Sequence, residues 1–141
     1  MRETQRMLED PPQFIRIIPY PDSFRYFSVT ILHPYYPYEG VFPLVLYARK
    51  EYPMAPPKVK FLVKVYHPNI SVDGEISLNI LKDQWTPALF IHHVIRSIQV
   101  LFSIPNVEDP LNVEAAEHWI RDKKGAEMKA MEWTRSYANG I

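Results

Sequence analysis

Four side chains in the middle of this 141-residue chain are the ones whose types could do chemistry together: His67, Asn69, Ser77 and Asp109. A serine hydroxyl is hardly ionised at neutral pH and needs an adjacent base, as in a Ser-His pair. His67 is the only histidine close to Ser77 in sequence. An asparagine amide can steady a developing oxyanion, but an asparagine after Pro68 is also a common turn former. Asp109 stands beside Pro110, where a solvated loop carboxylate is the plain alternative to a working one. The chain has no cysteine, which removes thiol nucleophiles, disulfides and thiolate metal sites together. His92 and His93 are adjacent; on a helix they would point about 100° apart and could not easily share an ion. They read as surface or satisfied structural histidines, and no metal site is expected.

The elements that must position these residues follow from the apolar pattern. The chain length fits one domain, residues 1–141, and 47% apolar residues suffice for an ordinary core. Fourteen prolines against four glycines is unusual, and most of the prolines fall in the first half. Each fixes φ and biases its predecessor toward extended backbone, so this half should be strands joined by stiff turns. Residues 2–8 read as a short helix stopped by Pro11 and Pro12. Strand-like runs follow at 14–18, 26–31, 43–47 and 58–62, with Pro43 suggesting an edge strand or a strand start. Short connections favour an antiparallel meander. Residues 66–88 are irregular, with turn chemistry at Asp73-Gly74. Phe90, Val94, Ile98 and Leu101 then recur at helical steps, and 113–121 and 126–137 read as two further helices. The layout is α+β: a four-stranded antiparallel meander, an N-terminal helix and three C-terminal helices.

Composition excludes some functions. Charge is balanced, 16 Lys+Arg against 16 Asp+Glu, which disfavours a basic nucleic-acid binder. No run approaches eighteen apolar residues and the first residues lack an apolar signal core, so a soluble intracellular protein is expected.

An ordered series of motifs is more specific. Tyr52-Pro53-Met54-Ala55-Pro56-Pro57-Lys58-Val59-Lys60-Phe61 is followed by His67-Pro68-Asn69, by Ser77 within Gly74–Leu81, by Gln84-Trp85-Thr86-Pro87-Ala88-Leu89, and by Glu108-Asp109-Pro110-Leu111. This series, spanning Arg2 to the C-terminus, resembles the ubiquitin-conjugating enzymes, with serine where that family has its catalytic cysteine. Glu3-Thr4-Gln5-Arg6, Arg25-Tyr26-Phe27, Ile80-Leu81-Lys82-Asp83 and Trp133–Ala138 look most like its type N branch, which pairs with a catalytically dead variant of the same fold.

The resemblance implies a transferase in protein ubiquitination that takes ubiquitin from an activating enzyme and passes it to lysine, with a RING-type ligase and a variant partner. No cofactor is implied, since ATP is used upstream. Ser77 stands at the acceptor position, Asn69 at that of the amide supporting the oxyanion or the loop around it, and Asp109 at that of the acid orienting the incoming lysine. His67 and Pro68 take structural roles. Asn79 replaces a usual aspartate, which weakens amine activation. Arg2, Arg6, Met54, Thr86, Pro87 and Ala88 match ligase-facing positions. Tyr47 keeps an aromatic at the variant-partner surface, where Val45 and Ser71 replace acidic residues; lost charge alters partner selectivity. One glycine of the family's pair is missing after Glu39. Cytoplasm and nucleus are the expected compartments; no nucleic-acid or membrane partner is expected. Impaired turnover, through an oxyester trap or a pseudoenzyme, is the leading expectation. A working serine nucleophile, a non-catalytic ubiquitin- or ligase-binding module and a member diverged or redesigned for fold alone stay open beside it.

Overall fold

The computed structural model describes residues 14–22, 25–81, 85–86 and 91–140. The helix expected over residues 2–8, together with Arg2, Arg6, Pro87 and Ala88, lies outside them. The strands are β1 (Ile15–Pro19), β2 (Tyr26–Leu32), β3 (Val41–Tyr47) and β4 (Lys58–Phe61). They form one antiparallel sheet in the order β1-β2-β3-β4, the expected meander. A 3-10 turn, Asn79–Leu81, precedes the helices α1 (Ile91–Ser103), α2 (Val113–Arg121) and α3 (Lys123–Tyr137).

Side chains alternate along each strand, so one sheet face can be wholly apolar. Phe27, Val29 and Ile31 on β2 and Phe42, Leu44 and Leu46 on β3 are buried, while their neighbours are half-buried or exposed. Helix α1 supplies Ile91, Val94, Ile95, Ile98, Leu101 and Phe102 to the same core. Burying each such side chain contributes about 1.5–3 kcal/mol, so this layer contributes heavily to the fold's stability.

Two boundaries differ from the sequence reading. Pro43 is neither at an edge nor at a strand start; it is the third residue of an interior strand. Its carbonyl accepts from Leu62 N–H (2.9 Å), so its nitrogen also faces β4. The β3–β4 pairing ends at Leu44 and Phe61, which places the missing donor just past the ladder, where it costs little. The last helix begins at Lys123 and not at Ala126, because Asp122 caps it through Oδ1 to the amide of Gly125 (3.1 Å). Asp122 also ends α2, its own N–H bonding the His118 carbonyl.

Helix α3 closes the fold against the sheet. The amide of Val41, which opens β3, donates to the Ala138 carbonyl (2.7 Å). Gly40 lies so close to Thr134 and the Ala138 carbonyl that a Cβ there would overlap both.

Candidate functional site

The irregular segment after β4 is held by its own small pairings, His67 with Ile70 and Ile70 with Ile76. Gly74 takes φ +92° at the turn, and its carbonyl accepts from the Phe61 amide (2.8 Å). Ser71 caps that turn through Oγ, which accepts from the amides of Asp73 (3.2 Å) and Glu75 (3.0 Å). Such a hydroxyl does the work of a turn-forming carboxylate without its charge.

His67 is fully buried, with the rings of Tyr38, Phe102 and Trp119 within 6.3 Å of its own. Nδ1 accepts from the Asn69 amide (2.9 Å), which leaves the proton on Nε2 to donate to the Leu101 carbonyl (2.8 Å). Burial lowers its pKa to about 4 although the Leu101 carbonyl favours the charged form. It is therefore a neutral strut at pH 7, with both ring nitrogens engaged.

Asn69 is 1% exposed. Its Oδ1 accepts from the Asn106 amide (2.8 Å), and Nδ2 donates to the carbonyls of Asn106 (2.8 Å) and Asp109 (3.4 Å). Its backbone carbonyl accepts from the Ser77 amide (2.8 Å). Buried Pro68 contributes its carbonyl, which accepts from the amides of Leu111 and Asn112 (2.8 and 2.9 Å). Residues 67–69 thus join four separated pieces of chain: the end of α1 at Leu101, half-buried Ser77, the loop ending at exposed Asp109, and the cap of α2. Asn79 opens the 3-10 turn two residues after Ser77 and is exposed. Asn106, the main partner of Asn69, carries no motif signal of its own.

A second group lies on the proline-rich loop. Trp85 Nε1 donates to the Pro53 carbonyl (3.0 Å) and its ring meets Tyr52 at 6.0 Å. This ties the loop bearing Met54, 75% exposed, to the segment bearing exposed Thr86. Sequence reasoning picked out Met54 and Thr86 but not Trp85, the residue that joins them.

Tyr47 stacks on Tyr26 (4.5 Å between centroids) and lines a groove of about 460 Å3 on the solvent side of β3 and β4. Val45 lines it too; Arg49, also on its wall, is a residue the sequence did not single out. His92 and His93 lie ring against ring (4.2 Å) on α1. Among the described residues no group of three or more metal-ligating side chains converges, and no helix is long and apolar enough to cross a membrane.

A family model described as "Ubiquitin-conjugating enzyme" matches residues 1–134. Among curated proteins, "Ubiquitin-conjugating enzyme E2 13" of Saccharomyces cerevisiae is 49% identical over 140 residues, covering 98% of this chain and 92% of that protein. "Ubiquitin-conjugating enzyme E2 N" of Macaca fascicularis is 48% identical over the same shares. "Putative ubiquitin-conjugating enzyme E2 N-like" of Homo sapiens is 45% identical over 141 residues, again covering 98% of this chain and 92% of that protein.

Proposed function

Because this chain belongs to the ubiquitin-conjugating enzyme family, we propose that Ser77 is its ubiquitin acceptor and that turnover through it is impaired. In this reading Ser77 Oγ attacks the thioester carbonyl of ubiquitin carried by the activating enzyme. The C–O ester bond forms, the C–S bond breaks, and the activating enzyme's thiol leaves with the serine proton. Onward transfer needs a lysine amine to attack an oxyester, a poorer acyl donor than a thioester.

The observation that carries the reading is the chain's own wiring around Ser77. Ser77 is held through its backbone amide, which donates to the Asn69 carbonyl, and this supports reading its side chain as the one at the acceptor position. His67, neutral and committed at both nitrogens, is not its base. Asn69 spends its amide on the 106–109 loop, which supports the loop-holding role over direct oxyanion contact. Asp109 then orients the incoming lysine, while neutral Asn79 adds no charge to favour it. A non-catalytic ubiquitin- or ligase-binding module is the second reading, supported by the same commitments of His67 and Asn69.

Ligase docking falls to Arg2, Arg6, Met54, Thr86, Pro87 and Ala88, and a catalytically dead variant subunit meets the face around Tyr47. Ubiquitin, an activating enzyme and a RING-type ligase are the remaining partners, in cytoplasm and nucleus.

Charging with activating enzyme, ubiquitin and ATP tests the proposal. A conjugate resistant to reductant, labile to hydroxide and absent from Ser77→Ala supports it; one that survives in Ser77→Ala sinks it. Ser77→Cys should restore a reductant-sensitive conjugate and chain formation with a variant subunit. If a folded Ser77→Cys protein neither charges nor extends chains, the binding-module reading holds instead.

A further inference from the structure

The chain between the end of α1 and the cap of α2 contains no helix or strand, so side chains must give it its shape. Asn69 grips its near end, exchanging two bonds of 2.8 Å with the backbone of Asn106. Its hold on the far end is weak. Nδ2 lies 3.4 Å from the Asp109 carbonyl, outside the usual range of about 2.7–3.2 Å. The shorter tie comes from within the loop: Asn106 Oδ1 accepts from the Glu108 amide at 3.0 Å, a side-chain turn that bends the chain one residue before Asp109. Among the described residues no hydrogen bond or ion pair holds the Asp109 carboxylate itself, so its place follows from the backbone that carries it.

We propose that Asn106 is a positioning residue for ubiquitin transfer: its side chain, through the turn to Glu108, aims the Asp109 carboxylate at the incoming lysine. This role rests on reading Asp109 as the group that orients that lysine. In the step concerned, the neutral amine attacks the acyl carbonyl carried on residue 77 and the C–N amide bond forms. The bond to the side chain of residue 77 breaks, and its oxygen leaves with one of the amine's protons. The carboxylate accepts from the amine before the attack, and a misplacement of about 1 Å in such an arrangement is enough to slow the reaction. The two asparagines divide the geometry. Asn69 fixes where the loop begins relative to Ser77, whose amide its carbonyl also holds (2.8 Å), and Asn106 fixes how the loop ends. Asn106 and Glu108 are both exposed, so their bond is exchanged for one to water when it breaks and adds little to stability. What the bond supplies is direction.

The test is single-turnover discharge of ubiquitin onto free lysine from Ser77→Cys protein charged to completion beforehand. In that background Asn106→Ala should keep the parent's urea midpoint, because Asn69 holds only the backbone of residue 106, and should discharge about tenfold more slowly. Asp109→Asn should slow discharge at least as much. Asn106→Ala added to Asp109→Asn should slow it no further, since the turn acts only through the carboxylate; a loss of stability or a separate contact would multiply instead. Multiplying effects overturn the inference, and so does a normal rate in Asn106→Ala beside a slowed Asp109→Asn. If Asp109→Asn discharges at the full rate, the reading of Asp109 falls and takes this role with it. A folded Ser77→Cys protein that cannot be charged overturns the transfer reading itself. In the unaltered Ser77 chain, NMR needs no charging: Asn106→Ala should speed exchange of the Glu108 amide with water, and an unchanged rate also overturns the inference.

Discussion

Acidifying the protein from pH 7.5 to pH 4.5 should remove a defined share of its stability through one residue, His67. The imidazole is fully buried among aromatic rings, and its pKa falls from 6.5 to about 4 on folding, chiefly by desolvation. In the unfolded chain the ring regains water and takes up a proton near 6.5. Between these two values the unfolded state binds more protons than the folded one, so stability rises with pH. The contribution is fully present above pH 6.5 and is lost as pH falls toward 4. The fall from 6.5 to about 4 corresponds to about 3 kcal/mol, of which roughly 2.5 kcal/mol is gone by pH 4.5. That is a large fraction of the 5–15 kcal/mol typical of a domain. Carboxylates titrate in the same window, so the comparison is with His67→Gln, whose amide can still donate to the Leu101 carbonyl. This variant should be less stable at pH 7.5, with the gap closing by about 2.5 kcal/mol at pH 4.5 in urea unfolding. Its folded-state counterpart is an NMR titration in which His67 stays neutral down to about pH 4. A His67 signal that titrates near 6.5, or parallel pH profiles for the two proteins, would refute the reasoning.

Two further substitutions probe the same region. Asn69→Ala should cost about 2–4 kcal/mol, because it removes paired bonds to Asn106 from a buried site and leaves their partners partly desolvated. Urea unfolding measures this, hydrogen exchange at the Asn106 amide should quicken with it, and a loss under about 1 kcal/mol would contradict the tie. Gly74→Ala should cost about 2–3 kcal/mol by thermal or chemical unfolding, since φ is +92° there and the new Cβ would strike the Phe61 carbonyl.

The sheet and helices were legible because their signals are periodic. Helix α2 matches its expected span of 113–121, and each of the four strands appears within two residues of its expected start. Where the sequence misled, a local rule met a tertiary circumstance. Pro43 signals an edge, but the ladder toward β4 stops at Leu44, so an interior strand tolerates it. Lys123-Lys124-Gly125 does not look helical, but the Asp122 cap starts the turn early. The site was legible only as a string of motifs. That Asn69 reaches Asn106, that Trp85 ties two loops, and that Arg49 walls a groove depend on residues far apart in the chain. No periodicity marks such contacts.

Every hydrogen bond from residues 67–69 to a distant segment goes to that segment's backbone. Their partners are the carbonyls of Leu101, Asn106 and Asp109 and the amides of Asn106, Leu111, Asn112 and Ser77. The dependence therefore runs one way. His67 and Asn69 cannot change without loss, whereas the side chains they hold in place can be exchanged with the grip intact. Hydrogen bonds of this kind leave no covariation between their ends, so these partners would be invisible to methods that look for compensating substitutions. They also let the chemistry at position 77 drift during evolution, from one nucleophile to another or to none, while the scaffold that presents it is inherited unchanged.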